Sequence, residues 1–208
     1  MTDAQWLASR EPEEMLALLR AIASGWRWWY RWAFGESIQV SKRKLCLFAD
    51  SFCTQVKSLS ERQQNQLVFG TEVHGSPVHV AKWAANRAKG KRADQAAMSI
   101  QFAVKQAFDA LRANAVSDRS LKTITADLLR DVFGNPFSTV KIDSSWRTPK
   151  VTTLARSIYT ADAFHRLGNL ADALVDAGCN KEEILDHCRS DGPHVCGCWV
   201  VDLLLDYK

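Results

Sequence analysis

The fold of this chain is decided by residues 146–205, WRTPKVTTLARSIYTADAFHRLGNLADALVDAGCNKEEILDHCRSDGPHVCGCWVVDLLL. Apolar residues recur in this stretch every three or four positions, the spacing that places side chains on one face of an α-helix. Thr and Pro at 148–149 are typical of a helix start, and Gly178 suits a left-handed C-terminal cap. The segment SDGP at 190–193 ends a third helix. The apolar run at 199–205 has no second strand near it, so we predict another short helix there.

Two finer details belong to the same stretch. Asn180, followed by Glu183, resembles a capping box, in which two side chains bond the first free N–H groups of a helix. The helix before it is predicted to bury one stripe of side chains, formed by Phe164, Leu167, Leu170, Ala171, Leu174 and Val175.

Helical periodicity also covers most of the chain before this stretch. Only residues 137–146 have an extended pattern, and one strand alone cannot form a stable sheet. The predicted helical segments are 12–23, 41–59, 120–133 and a hairpin over 78–115.

We therefore predict an all-α fold, a single-domain multi-helical array of seven to nine helices over residues 1–208 with little or no sheet. The length of 208 residues is enough for one real core. The pattern also allows two sub-units, a helical body over 1–135 and a C-terminal helical subdomain over 146–208.

Composition narrows the class of protein. The chain is 47% hydrophobic and 24% charged, as is ordinary for a globular protein, and no run of 18 apolar residues predicts a membrane span. The start, MTDAQWLASREPEE, lacks the basic and apolar parts of a secretion signal, so we expect a cytoplasmic protein with reduced cysteines. Residues 146–208 hold 7 Lys and Arg against 9 Asp and Glu, whereas the first 145 hold 20 against 14. This asymmetry is milder than that of a dedicated nucleic-acid binder.

Tryptophan and arginine alternate in the segment GWRWWYRWAFGES at 25–37. Such a segment suits a membrane-surface helix, a platform for single-stranded nucleic acid, or aromatic packing on the core. Because successive residues of a helix point 100° apart, its aromatic side chains cannot all turn inward. The segment is therefore predicted to bind another protein or a second copy of the chain. The residues assigned to this contact are Trp26, Arg27, Trp28, Trp29, Arg31 and Trp32.

A run of five basic residues lies within 11 positions that contain no acid. They are Lys82, Arg87, Lys89, Lys91 and Arg92. Clustered cations of this kind bind phosphate in some proteins, although a solvated helix end around Gly90 has the same pattern. The run is the candidate nucleic-acid site of the alternative functional hypothesis.

Cysteine and histidine concentrate near the C-terminus. The candidate metal ligands are His187, Cys188, His194, Cys196 and Cys198. Zinc prefers a tetrahedron of such groups, but the spacing matches no ordinary zinc module and contains no C-x-x-C. The other interpretations are a cap loop, in which His194 bonds backbone groups while the cysteines pack, and a nucleophile pair of Cys188 or Cys198 with His194. No cofactor is expected, and zinc stays open as the one alternative.

Several of these pieces also carry a family resemblance. The chain resembles a family of uncharacterised, paralogue-rich bacterial proteins that open with a variant of MTEAEWL and close with a variant of GPHVRGCWVVDLLL. The matching pieces are MTDAQWL (1–7), RKLCLFA (43–49), LLRDVFGNPF (128–137), LARSIY (154–159), LADAL and AGC within 170–179, EILDHCR (183–189) and GPHVCGCWVVDLLL (192–205). The resemblance covers the second half almost throughout and the first half in patches. It implies a mainly helical bacterial cytosolic fold and no particular activity, and its Arg at position 196 counts against Cys196 as a ligand.

No catalytic signature accompanies these features. The sequence has no Gly-rich phosphate loop, no paired metal carboxylates and no G-x-S-x-G. We therefore predict a non-catalytic protein-interaction or regulatory module. The alternative is a nucleic-acid-associated protein that uses the basic run and the Trp/Arg segment, with or without a stabilising zinc.

Overall fold

The structure is a computed structural model that describes residues 1–24, 40–64, 92–113, 118–138 and 140–207. Over these ranges the chain is all-α, with nine α-helices, two 3-10 helices (Ser144–Trp146 and Phe164–Arg166) and no strand, which confirms the predicted fold class. The α-helices are α1 (Asp3–Ala8), α2 (Pro12–Ala23), α3 (Lys42–Gln64), α4 (Ala93–Ala113), α5 (Asp118–Phe133), α6 (Pro149–Thr160), α7 (Leu167–Asp176), α8 (Glu182–Arg189) and α9 (Trp199–Leu205).

Local sequence signals set several helix ends. The Thr148 hydroxyl accepts a hydrogen bond from the Val151 N–H, and Pro149 occupies the first position of α6. Gly178 follows the C-terminal end of α7 with a φ of 86°, and Gly134 follows α5 with a φ of 64°. Both conformations lie in the left-handed region, which glycine adopts without the penalty that a Cβ would bring.

Two finer predictions are wrong. The predicted capping box of Asn180 and Glu183 does not form: Lys181 is the N-cap residue of α8, and its side chain makes no capping hydrogen bond. The carboxylate of Glu183 instead accepts a hydrogen bond of 3.0 Å from the Ser138 hydroxyl. Val175, predicted on the buried stripe of α7, is 45% exposed. The described residues of the extended pattern at 137–146 form no strand, and the pattern ends in the 3-10 helix at Ser144–Trp146.

Within the described residues, the buried apolar side chains form two clusters. The first is built by α1 to α5, and the second by α6 to α9 with Trp146. Direct contacts join the clusters: Arg43 of α3 makes two bonds of 2.7 and 3.0 Å to the buried carboxylate of Asp202 on α9, and Val195 packs on the first cluster. The division of the chain into one domain or two sub-units stays a prediction.

Among the described helices, none combines the length and the apolar character that a membrane span requires.

Candidate metal centre

Four side chains meet where the two clusters adjoin. Asp131 comes from the last turn of α5, His187 from the last turn of α8, His194 from the loop after α8, and Cys198 caps the start of α9. The ligand-type atoms of these four residues all lie within 4.8 Å of one another. Oxygen, nitrogen and sulfur atoms of carboxylate, imidazole and thiol groups are the ligands that zinc takes in proteins.

The distances show that the four groups face one common point. Asp131 Oδ1 lies 2.9 Å from His194 Nδ1 and 3.2 Å from His187 Nε2. The same Nε2 of His187 lies 3.2 Å from Cys198 Sγ. The other carboxylate oxygen of Asp131 accepts a hydrogen bond of 2.9 Å from the Val195 N–H. Asp131 therefore turns one oxygen to the group and has the other fixed by the backbone.

His194 is held by both of its ring nitrogens. Nε2 lies 3.0 Å from the carbonyl oxygen of Ser190, which only accepts hydrogen bonds, so this nitrogen carries a hydrogen and donates it. Nδ1 then faces the carboxylate of Asp131, which is also an acceptor. Either a second proton or a cation must lie between Nδ1 and the carboxylate. Burial lowers the pKa of His194, and the hydrogen bond and charge of Asp131 outweigh it, so the pKa is raised.

The same contacts shift the pKa of Asp131. Its burial by itself raises the pKa, but the hydrogen bonds from His187 and His194 outweigh that effect and leave the pKa lowered. The carboxylate is therefore ionised although it is almost fully buried. A buried charge of this kind requires a partner of opposite charge.

Cys198 has no exposed surface. Burial raises the pKa of its thiol well above the ordinary value, the charge of Asp131 raises it further, and the N–H groups of Val200 and Val201 act in the opposite direction. The sulfur is therefore a thiol in the protein alone. It becomes a thiolate only when a cation compensates the added charge.

The amino group of the half-buried Lys44 lies close to the centre. Lys44 Nζ donates a hydrogen bond of 2.8 Å to the carbonyl of Val132, the residue that follows Asp131. Burial lowers the pKa of Lys44, and the negative charges of Asp202 and Asp131 oppose that change. The bond fixes the backbone beside the Asp131 ligand.

The structure brings three of the five sequence-predicted ligands together and leaves two outside the group. His187, His194 and Cys198 belong to it. Cys188 packs in the second cluster, where burial first and nearby negative charge next raise its pKa to about 12. Cys196 is half-buried and packs on the second cluster.

Asp131 is the candidate ligand that sequence reasoning missed. Its signal is a single acid inside the apolar run LLRDVF at the end of a helix whose neighbouring residues Leu128, Leu129 and Val132 are fully buried. An acid in such a place needs a buried partner, and the partner lies more than fifty positions away in the sequence.

The other predicted sites fall almost entirely outside the described residues. Residues 26–32, predicted to bind a partner, lie there, and so do four of the five members of the basic run. The fifth, Arg92, is exposed and lies 3.6 Å from the carboxylate of Asp94. Both sites stay predictions.

No protein-family model, no curated protein and no solved structure matches this chain.

Proposed function

We propose that this protein is a non-catalytic helical module in which a zinc ion, bound by Asp131, His187, His194 and Cys198, fastens the C-terminal helices to the helical body. The observation that carries the proposal is the convergence of the four ligand-type atoms within 4.8 Å. One ligand comes from the first cluster of helices and three come from the second, so an ion bound there ties the two together.

The hydrogen bonds around the centre support a metal ion. Histidines that bind metals commonly donate their second ring N–H to a backbone carbonyl, which fixes the tautomer. His194 has this arrangement, with Nε2 on the carbonyl of Ser190 and Nδ1 turned to the group. Asp131 is held in the same manner by the Val195 N–H.

Charge supports a divalent ion in particular. The Asp131 carboxylate and a Cys198 thiolate bring two negative charges, and two neutral imidazoles bring none. A divalent cation therefore leaves the four ligands neutral as a set, which a buried centre requires. Mixed nitrogen, oxygen and sulfur donors in a group of four favour zinc over magnesium or calcium, which bind oxygen.

Burial supports a structural role over a catalytic one. A catalytic zinc keeps one position open for water or substrate, whereas a structural zinc has four protein ligands. Here four side chains are at hand, the most exposed of them, His187, at 16%. The centre therefore offers a substrate little access.

The geometry also argues against the Cys–His nucleophile pair. In such a site the cysteine contacts one imidazole nitrogen, and the orienting carboxylate contacts the other. In His194, the imidazole of the predicted pair with Cys188 or Cys198, Nε2 faces the Ser190 carbonyl and Nδ1 faces Asp131, so neither nitrogen faces a cysteine. Cys198 instead contacts Nε2 of His187. Asp131 contacts that same nitrogen, so the carboxylate cannot orient a proton relay to the sulfur. Convergence on one nitrogen is the pattern of ligands around an ion.

The partner of this module belongs to the proposal as well. The Trp/Arg segment at 26–32 stays the predicted surface for another protein or a second copy. Nucleic acid bound by the basic run stays the alternative. A structural zinc ion is compatible with either partner, since it makes the fold more rigid and takes part in no reaction.

Elemental analysis of the purified full chain, expressed with zinc and without a polyhistidine tag, tests the metal centre. We expect one zinc per chain, because a single group of four ligands is present in the described part of the chain. The variants Asp131→Asn, His194→Gln and Cys198→Ala should each lower zinc affinity by more than the roughly 10–100-fold that outer-shell changes cost.

Cys196→Ala is the matched control, since Cys196 lies two residues from a ligand but outside the group, and it should keep its zinc. Wild-type protein that holds no zinc after incubation and gel filtration would contradict the proposal. Wild-type zinc affinity in Cys198→Ala would contradict the proposed set of four ligands.

A further inference from the structure

The side chain of Trp199 lies against the metal centre without being a ligand. Its ring centroid is 5.1 Å from that of His187, at an interplanar angle of 54°. The ring of His194 contacts His187 at 4.9 Å and 79°. The imidazole of His187 therefore has an aromatic ring and a second ligand as neighbours, and Trp199 directly follows the ligand Cys198.

Gly134 provides the surface on which Trp199 lies. A Cβ added at Gly134 would lie 3.1 Å from Cγ and 3.3 Å from Cδ2 of the indole, closer than an ordinary contact. The backbone of Gly134 is itself fixed, because its N–H donates to the carbonyl of Arg130 at 2.8 Å and its carbonyl accepts from Trp6 Nε1 at 3.0 Å. The indole therefore rests on backbone that is held from both sides.

We infer that Trp199, seated on Gly134, is a positioning residue that fixes the imidazole of His187 for metal binding. The inference rests on the proposed metal centre and adds two residues to it, neither of which touches the ion. Metal sites depend on such outer contacts, because a ligand ring that is free to turn binds less tightly. The contact also extends the support of the centre to Trp6 in the first helix of the chain.

Cobalt(II) provides the test, since in a site with a thiolate its absorption reports both binding and geometry. Gly134→Ala must displace Trp199, so we expect cobalt and zinc affinity to fall roughly 10–100-fold and the cobalt bands to shift. Trp199→Phe in the Gly134→Ala background makes room for the added methyl group. The double variant should therefore bind metal more tightly than Gly134→Ala alone.

Gly178→Ala is the matched control, because Gly178 also has a positive φ, of 86°, whereas a Cβ at Gly178 meets no atom within 4 Å. It should keep wild-type affinity and spectrum. A merely structural role of Gly134 predicts lower stability but an unchanged cobalt spectrum and no rescue by Trp199→Phe, and either result overturns the inference. If Gly134→Ala does not fold, Trp199→Leu decides: wild-type affinity and spectrum in that variant overturn the inference too.

The wild-type result separates this inference from the proposed function. Wild-type protein without a thiolate-to-cobalt band contradicts the metal centre itself, and the positioning role falls with it. A normal wild-type band together with unaffected Gly134 and Trp199 variants contradicts the positioning role alone.

Discussion

At the scale of single residues, the central feature is the contact between His194 and Asp131. The Ser190 carbonyl takes the proton on Nε2, so Nδ1 needs a second proton or a metal ion to face the carboxylate at 2.9 Å. The metal-free centre therefore holds an imidazolium beside a carboxylate, and the zinc-bound centre holds a neutral imidazole. Both states pair the buried charge of Asp131.

This pairing predicts the pH dependence of the metal-free protein. The pKa of His194 is raised in the folded state, so its stabilising contribution is complete below the unfolded value of about 6.5 and is lost as pH rises through the folded value. The pKa of Asp131 is lowered in the folded state, so its effect on stability has the opposite pH dependence. The contribution of Asp131 to stability is lost only as pH falls through the folded pKa, which lies below the ordinary value of about 3.9. Urea unfolding of chelator-treated protein should therefore show stability falling as pH rises above about 6.5.

His194→Gln is the comparison for this measurement, because an amide has no charge to lose in that range. Its free energy of unfolding should vary less with pH than that of the wild type. Zinc-loaded wild type should show the reverse trend, since protons compete with the ion for the ligands. Equal slopes for metal-free wild type and His194→Gln would contradict the assignment.

At the scale of secondary-structure elements, α9 is held to α3 by a second polar contact. Arg43 binds both oxygens of the buried Asp202 carboxylate and also donates to the Tyr159 hydroxyl at 2.9 Å. The guanidinium lies 5.2 Å from the ring centre of Tyr207, just beyond the end of α9. The pKa of Arg43 is raised. The hydrogen bond to Asp202 is the main cause, and it outweighs burial, which lowers the pKa. The contact positions the helix that begins at Cys198.

Removal of Arg43 is therefore expected to cost more than a surface change. Arg43→Met leaves the carboxylate of Asp202 buried without its partner, and we expect a loss of about 3 kcal/mol, at the low end of the range because the Arg43 side chain is 30% exposed. Chemical unfolding of metal-free protein measures the loss. Arg43→Met combined with Asp202→Asn should recover part of it, since the buried charge is then gone. A loss below about 0.5 kcal/mol would show that the contact contributes little.

The elements also show how far the sequence predicts the molecule. Helix α6 follows from local signals, because the side chain of Thr148, Pro149 and the apolar spacing act within a few residues. Cys188 and His187 were both candidate ligands, and the 100° step of a helix sends the first into the core and the second to the centre. Asp131 was missed because packing between helices brings its partners to it, and the spacing of residues along the sequence does not show such packing. The capping box failed for a related reason: Glu183 bonds Ser138, far away in sequence.

At the scale of the whole molecule, two clusters of buried side chains meet at a polar boundary. The four-residue centre and the contact of Arg43 with Asp202 both lie on it, and each joins the first cluster to the second. Polar groups at such a boundary fix one arrangement of the two parts, whereas apolar contacts alone are less directional. The proposed ion is therefore expected to hold the arrangement in which the chain presents its partner surface.

X-ray absorption at the zinc edge of the loaded full chain tests this account most directly, because it measures the atoms around the ion. The account predicts four ligands: one sulfur at about 2.3 Å and three nitrogen or oxygen atoms at about 2.0–2.2 Å. The sulfur should be absent in Cys198→Ala and present in Cys196→Ala. A shell of six oxygen or nitrogen atoms, or one with two or more sulfurs, would contradict the centre formed by Asp131, His187, His194 and Cys198.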